Sequence, residues 1–197
     1  ATLNGVTEHT ANFMGQLGNV SSFGVDSEGE LFVIKYSGTV YRITSPNTTW
    51  LTDAGRSDGI ISGGQVRSLV ALDAKLLELQ PFSPFFTLDK STGLIVGAKT
   101  NISGGTSISV SATVKANQAV TVPGQLLIKN WTTGLFDVLN TFNLNGTYQN
   151  VTGSTGTLDH IDPVSGRIEV RINTSFTGLL LTPVLKIQYD AVSVNVQ

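Results

Sequence analysis

From Thr106 to Val114 every second residue is apolar. Ile108, Val110, Ala112 and Val114 fall on one side of an extended chain, and Ser107, Ser109, Ser111 and Thr113 on the other. Side chains of a strand alternate between faces, whereas a helix returns to one face about every 3.6 residues. This segment is therefore a strand of a sheet with one apolar and one wet side. Arg167–Ile172 repeats the pattern, with Ile168, Val170 and Ile172 inward. Gln125–Trp131 and Leu135–Asn140 flank Thr132-Thr133-Gly134 and read as a hairpin. Leu31–Tyr36 and Thr39–Thr44 flank Ser37-Gly38, a pair suited to a tight two-residue turn.

The final segment changes phase. Leu185, Ile187 and Tyr189 share one parity, and Val192, Val194 and Val196 the other. A regular strand cannot change parity, so the spacing predicts a β-bulge near Asp190-Ala191. About eight short strands with polar turns make an all-β fold, an antiparallel, jelly-roll-like β-sandwich over 66–197. Ser45–Gln65, rich in Pro, Asn, Asp and Gly, reads as a linker after a segment 1–44. Glu8–Leu17 is the best helix candidate, although Gly15 and Gly18 make an irregular turn equally acceptable.

Composition narrows the partners. Charged residues are 13% of the chain and the net charge is -2, about half the usual charged share. No basic patch is present to neutralise nucleic acid phosphates or to meet an anionic membrane surface. No apolar run reaches the roughly 18 residues of a spanning helix, so membrane insertion is not expected. The chain has no cysteine, which removes disulfides and thiolate chemistry. Beginning at Ala1 and not Met, it reads as a processed product or a fragment.

Solubility must come from 24 Thr, 18 Ser and 13 Asn, a surface common in secreted and cell-surface modules. Asn-x-Ser/Thr occurs at Asn19, Asn47, Asn101, Asn130, Asn145, Asn150 and Asn173, more than twice what composition alone gives. These are candidate glycosylation sites, unless they merely reflect Thr-rich loops.

Catalytic signals are missing. His9 and His160 stand in no metal-binding spacing, and His160 before Ile161-Asp162-Pro163 reads as a turn residue. There is no Gly-x-Ser-x-Gly elbow, and Glu28 and Glu30 read as a solvated strand end. No cofactor is expected. A structural Ca²⁺ is the one ion the composition admits, with Asp53, Asp58, Asp73, Asp89, Asp162 and Asp190 as available ligands. Sugar rings stack on aromatic faces, so Trp131, Tyr148 and Trp50 are the candidate ligand-binding residues, with a core role for Trp131 the competing account. The cluster Pro81-Phe82-Ser83-Pro84-Phe85-Phe86 is either core or a docking surface.

Residues 10–44 carry a family likeness. Ser22-Phe23-Gly24-Val25-Asp26-Ser27-Glu28-Gly29-Glu30-Leu31-Phe32, followed by Tyr41-Arg42-Ile43, resembles the closing blade of glucose/sorbosone dehydrogenase-like β-propellers. The resemblance implies scaffold roles for Asp26, Gly29 and Leu31. Members that oxidise sugars use pyrroloquinoline quinone, a histidine and calcium contributed by other blades, and no position here matches those motifs. Residues 94–192, through Leu127–Gly134 and Ile161–Arg171, more weakly resemble the β-sandwich modules appended to secreted propeller and polysaccharide-active proteins. Two functions follow as expectations. One is a non-catalytic module of a secreted or cell-surface protein that binds glycan. The alternative is a structural subunit of an extracellular assembly, held by strand exchange between copies through the valine-rich last strand.

Overall fold

A computed structural model describes residues 19–25, 31–42, 49–70, 75–81, 89–102, 104–156, 159–178 and 184–197. The candidate helix Glu8–Leu17, the Asp26–Gly29 turn, Asn47, Asp73 and the aromatic run Phe82–Phe86 lie outside the described residues. The chain divides into two units, Ala1–Pro46 and Asn47–Gln197.

The first unit holds β1 (Val20–Val25), β2 (Leu31–Lys35) and β3 (Val40–Arg42), an antiparallel meander in that spatial order. The β2–β3 turn is longer than the expected two residues. Gly38 donates its N–H to the Lys35 carbonyl (2.9 Å) and takes a φ of 83°, so the glycine sits one step after the turn. Val33 is buried within this unit, whereas Phe23, Val25, Tyr36 and Val40 are exposed.

The second unit is built from ten strands in two five-stranded antiparallel sheets. In chain order they are β4 (Thr49–Asp58), β5 (Ile60–Gly63), β6 (Leu77–Gln80), β7 (Asp89–Thr100), β8 (Ile108–Ala116), β9 (Val122–Lys129), β10 (Phe136–Leu144), β11 (Gln149–Thr155), β12 (Arg167–Thr177) and β13 (Ile187–Val196). The first sheet has the order β10-β9-β12-β7-β4 and the second β11-β8-β13-β6-β5. From β6 to β13 the chain crosses between sheets as in a jelly roll, with β4 and β5 added at one end of each.

The expected linker over 45–65 is therefore corrected: most of it is β4 and β5. Both are edge strands, and β4 carries two register shifts, at Leu51/Asp53 and Arg56/Asp58. Shifts break the period-2 signal, and the remaining Gly and Asp look like loop. Gly59 alone joins β4 to β5. Its φ is 81°, and a Cβ there would lie 2.8 Å from the Gln80 carbonyl oxygen, so only glycine fits.

The alternation in the sequence becomes the core. Ile108, Val110, Ala112, Val114 and Ala116 of β8 face Ile168, Val170 and Ile172 of β12 and their neighbours, all essentially without solvent contact. The predicted bulge is present: Tyr189 pairs with Val114 and Ala191 with Thr113, leaving Asp190 as the extra residue. It brings Tyr189 and Val192 onto the same buried face. In the sheet order β13 lies between β6 and β8, but β6 pairs only with Ile187–Tyr189, and the valines from Val192 to Val196 pair with β8 alone. Among the described residues no helix is long and apolar enough to cross a membrane.

Candidate functional site

On β12 the residues between the inward Ile168, Val170, Ile172 and Thr174 point out of the sandwich: Arg167, Glu169, Arg171, Asn173 and Ser175. Strand register extends this face sideways. Asn173 lies between Gln125 of β9 and Gly93 of β7. Gln125 in turn pairs with Thr141 of β10, and Gly93 with Asp58 of β4. One row, Thr141–Gln125–Asn173–Gly93–Asp58, thus crosses all five strands. A shallow open groove of about 800 Å³ follows it, with Ser57, Ser91, Pro123 and Asn143 also in its walls. Five strands about 4.8 Å apart give it a length of roughly 19 Å.

Gly93 keeps the groove low at its centre. A Cβ there would stand 2.0 Å from Ser57 Oγ and 3.0 Å from Asn173 Oδ1. Those two side chains reach over the glycine from either side. Among the described residues Gln125, Thr141, Asn143, Asn173 and Ser175 use no side-chain atom in a hydrogen bond within the protein. Their amides and hydroxyls are open to a ligand. Asp58 is engaged, accepting hydrogen bonds from the Gly59 N–H (2.7 Å) and the Ser91 hydroxyl. On the outer face of the second sheet several polar groups pair with one another. Glu78 accepts from Lys186 Nζ (2.7 Å) and Gln188 Nε2 (2.6 Å), and Ser111 donates to Asn150 Oδ1 (2.6 Å).

Beside the groove a second glycine carries an ion pair. Arg167 on β12 and Asp53 on β4 meet over Gly97 of the strand between them, with Nη1–Oδ2 at 2.6 Å and Nη2–Oδ1 at 2.8 Å. A Cβ at Gly97 would come within 2.6 Å of both side chains. The Arg167 guanidinium holds the Asp53 carboxyl below its ordinary value of 3.8 and is itself raised by that carboxylate. A carboxyl depressed in the folded state stabilises above its unfolded pKa, and that contribution is lost as pH falls through the folded value. Asp53→Asn is expected to cost about 0.5–1 kcal/mol at neutral pH, since the pair is partly exposed. It should also flatten the fall in stability below pH 3.8. Urea unfolding across the acid range measures this, and parallel curves for variant and parent would exclude the contribution.

The three candidate aromatics fall in separate places, none of them in the groove. Trp50 pairs with Lys99 on the outer face of the first sheet. Trp131 lies in the β9–β10 turn, half-buried, with Lys129 Nζ 4.0 Å from its ring centre. Tyr148 is exposed between β10 and β11, 4.2 Å from Lys115 Nζ.

Of the candidate glycosylation sites, Asn19, Asn101, Asn145 and Asn150 are exposed and Asn173 sits in the groove. Asn130 shapes its own turn, its Oδ1 accepting the N–H groups of Thr132 and Thr133 at 3.0 Å. His160 is in a turn, as expected, but its ring is buried and Nε2 lies 2.9 Å from Asp137 Oδ2. Among the described residues no three His, Asp or Glu side chains stand close enough to share a metal ion. Asp53 is committed to Arg167, and Asp162 caps its own loop through Ser165 and Val164.

The groove residues Gln125, Thr141, Asn143 and Ser175 escaped sequence reading. Their signal was parity, which the sequence reading had not worked out for these segments: each follows or precedes a residue that the structure buries wholly or in part.

No protein-family model matches the sequence, and no curated protein matches it. Solved structures do. A family 4 carbohydrate-binding module is similar over 78% of this chain and 90% of its own, with a TM-score of 0.38 and 16% identity. A family 29 carbohydrate-binding module complexed with mannohexaose is similar over 78% of this chain and 83% of its own (TM-score 0.36, 12% identity). A Clostridium thermocellum xylanase with family 22 and catalytic modules, complexed with xylohexaose, is similar over 75% of this chain but 28% of its own (TM-score 0.36, 14% identity).

Proposed function

We propose that the second unit is a non-catalytic glycan-binding module of a secreted or cell-surface protein. Its ligand lies across the five strands of the first sheet. The observation that carries this reading is the row of unengaged amides and hydroxyls, Thr141, Gln125 and Asn173 with Asn143 and Ser175 beside them, along an open groove. Sugars offer many hydroxyls that both donate and accept, and amide side chains match them in either direction. An open groove without an enclosing pocket suits a chain and not a small molecule, which proteins usually enclose. Such a site binds weakly, because few contacts offset the loss of rigid-body freedom. The resemblance of residues 10–44 extends the reading to the C-terminal part of a sugar-dehydrogenase-like propeller protein, with β1–β3 in its closing blade.

Isothermal titration against a panel of soluble polysaccharides tests the groove. Asn173→Ala and Gln125→Ala are each expected to weaken binding about 5- to 10-fold, the worth of one or two hydrogen bonds. Trp131→Ala and Tyr148→Ala, which lie off the groove, provide the comparison. If the aromatic variants lose binding while Asn173→Ala does not, the ligand lies elsewhere. A panel with no binder at all would sink the module reading.

A further inference from the structure

The two outward arginines of β12 are treated differently by the fold. Arg167 has Asp53 in a bidentate pair, and Glu169 Oε2 lies 3.7 Å from its Nε. Arg171, four residues on along the same face, has no such partner. Among the described residues its guanidinium makes no hydrogen bond and no ion pair, and its Nε is buried without an acceptor. What holds it is an aromatic ring: the guanidinium carbon stands 4.0 Å from the centre of Phe136 on β10. The register places Arg171 between Leu127 and Ile95, an apolar strip next to the polar row. Two carboxylates of this face, Asp53 and Glu169, are both turned to Arg167. Asp58 also lies in the groove but two strands away on β4, and it is engaged with Gly59 and Ser91.

A guanidinium held over a ring, its Nε desolvated and without a counter-ion among the described residues, is an anion site in waiting. Its planar fork suits a carboxylate or a sulfate, and stacking on Phe136 pre-organises it. Gln125 and Asn173, in the adjoining row, line the same groove as Arg171 and offer amide donors to the same ligand. We infer that the glycan is acidic, and that Arg171 pairs with an anionic substituent on it, a carboxylate or a sulfate ester. This inference rests on the glycan-binding reading of the groove and sharpens it to a ligand class.

The test is a titration of the whole chain with three probes: oligogalacturonate, its fully methyl-esterified and hence neutral form, and a sulfated galactan. Each is measured at low and at high salt. The acidic form is expected to bind at least about 10-fold tighter than the ester, with the gap shrinking in salt. Arg171→Gln should close that gap by weakening the acidic form at least about 10-fold, and Arg171→Lys should restore only part of it. Oligogalacturonate against the sulfated chain decides between carboxylate and sulfate. Equal binding of acid and ester together with no salt-sensitive binding of the sulfated galactan, or a preference for the anionic chain that survives in Arg171→Gln, would overturn the inference. The module reading would still stand in that case if Asn173→Ala weakened both. Failure of all three probes and of the neutral panel would overturn both. Thermal melts of each variant confirm that the fold is intact.

Discussion

Deletion of Arg171 is expected to leave the second unit without a cooperative unfolding transition. β12 is the central strand of the first sheet, in unbroken register with β7 from Arg167 to Thr177 and with β9 from Val170 to Thr174. Removing one residue from its middle reverses the parity of one half. Either Ile168 and Val170 turn outward and Arg167 and Glu169 inward, or Ile172 and Thr174 exchange places with Asn173 and Ser175. Each fully buried aliphatic side chain is worth about 1.5–3 kcal/mol. Each polar group forced inward without a partner costs about 1–3 kcal/mol, and a charge more. The total, roughly 5–10 kcal/mol, is comparable with the entire stability of a domain. Deleting Asp190 is the control. It is the extra residue of the β13 bulge, and without it Tyr189, Ala191 and Val192 alternate in, out, in with their pairing to β8 intact. That variant is expected to fold and to melt cooperatively. A Δ171 chain that melts like its parent, or a Δ190 chain that does not fold, would contradict the register argument.

Tyr189→Ala is expected to cost about 4 kcal/mol, near the upper end for a single core truncation. Tyr189 heads the large side chains with no solvent contact, and it sits where β13 meets β8 and β6. The surrounding strands are each held from both sides, so the cavity left by its ring has little room to collapse. The hydroxyl adds a pH signature. Burial pushes its pKa above the ordinary value of 10.0. A raised folded-state pKa means the stability is complete below pH 10.0 and lost as pH rises toward the folded value. Tyr189→Phe keeps the ring, so its stability at neutral pH should stay close to the parent's, and the alkaline loss should shrink. Chemical denaturation near neutrality and above about pH 10 reads both effects. An unchanged alkaline limb in Tyr189→Phe would assign that loss to another group.

Most of the core was legible without coordinates. β8 and β12 have one buried and one wet face, so their alternation is uninterrupted, and the Asp190 bulge announced itself as a parity change. Edge strands were illegible for the complementary reason. β4 buries little, carries two shifts of register and ends at Gly59, so its residues resemble those of a loop. β7 was obscured by its outward glycines. Gly93 and Gly97 are small because Ser57, Asn173, Asp53 and Arg167 pass over them from neighbouring strands, and nothing local records what a neighbour needs.

The sequence by itself determined the class: an all-β sandwich with a hydroxyl-rich surface, because a period of two is a property of the strand alone. The site was decided by tertiary structure. Thr141, Gln125, Asn173 and Asp58 are scattered over more than a hundred residues and become one row only when five strands pair in a particular order. The aromatics singled out as ligand contacts, Trp131, Tyr148 and Trp50, are common sugar-stacking residues by type, but strand order sends them to three different places. Residue type is a local property, whereas adjacency across a sheet depends on register and topology, which no short stretch of chain specifies.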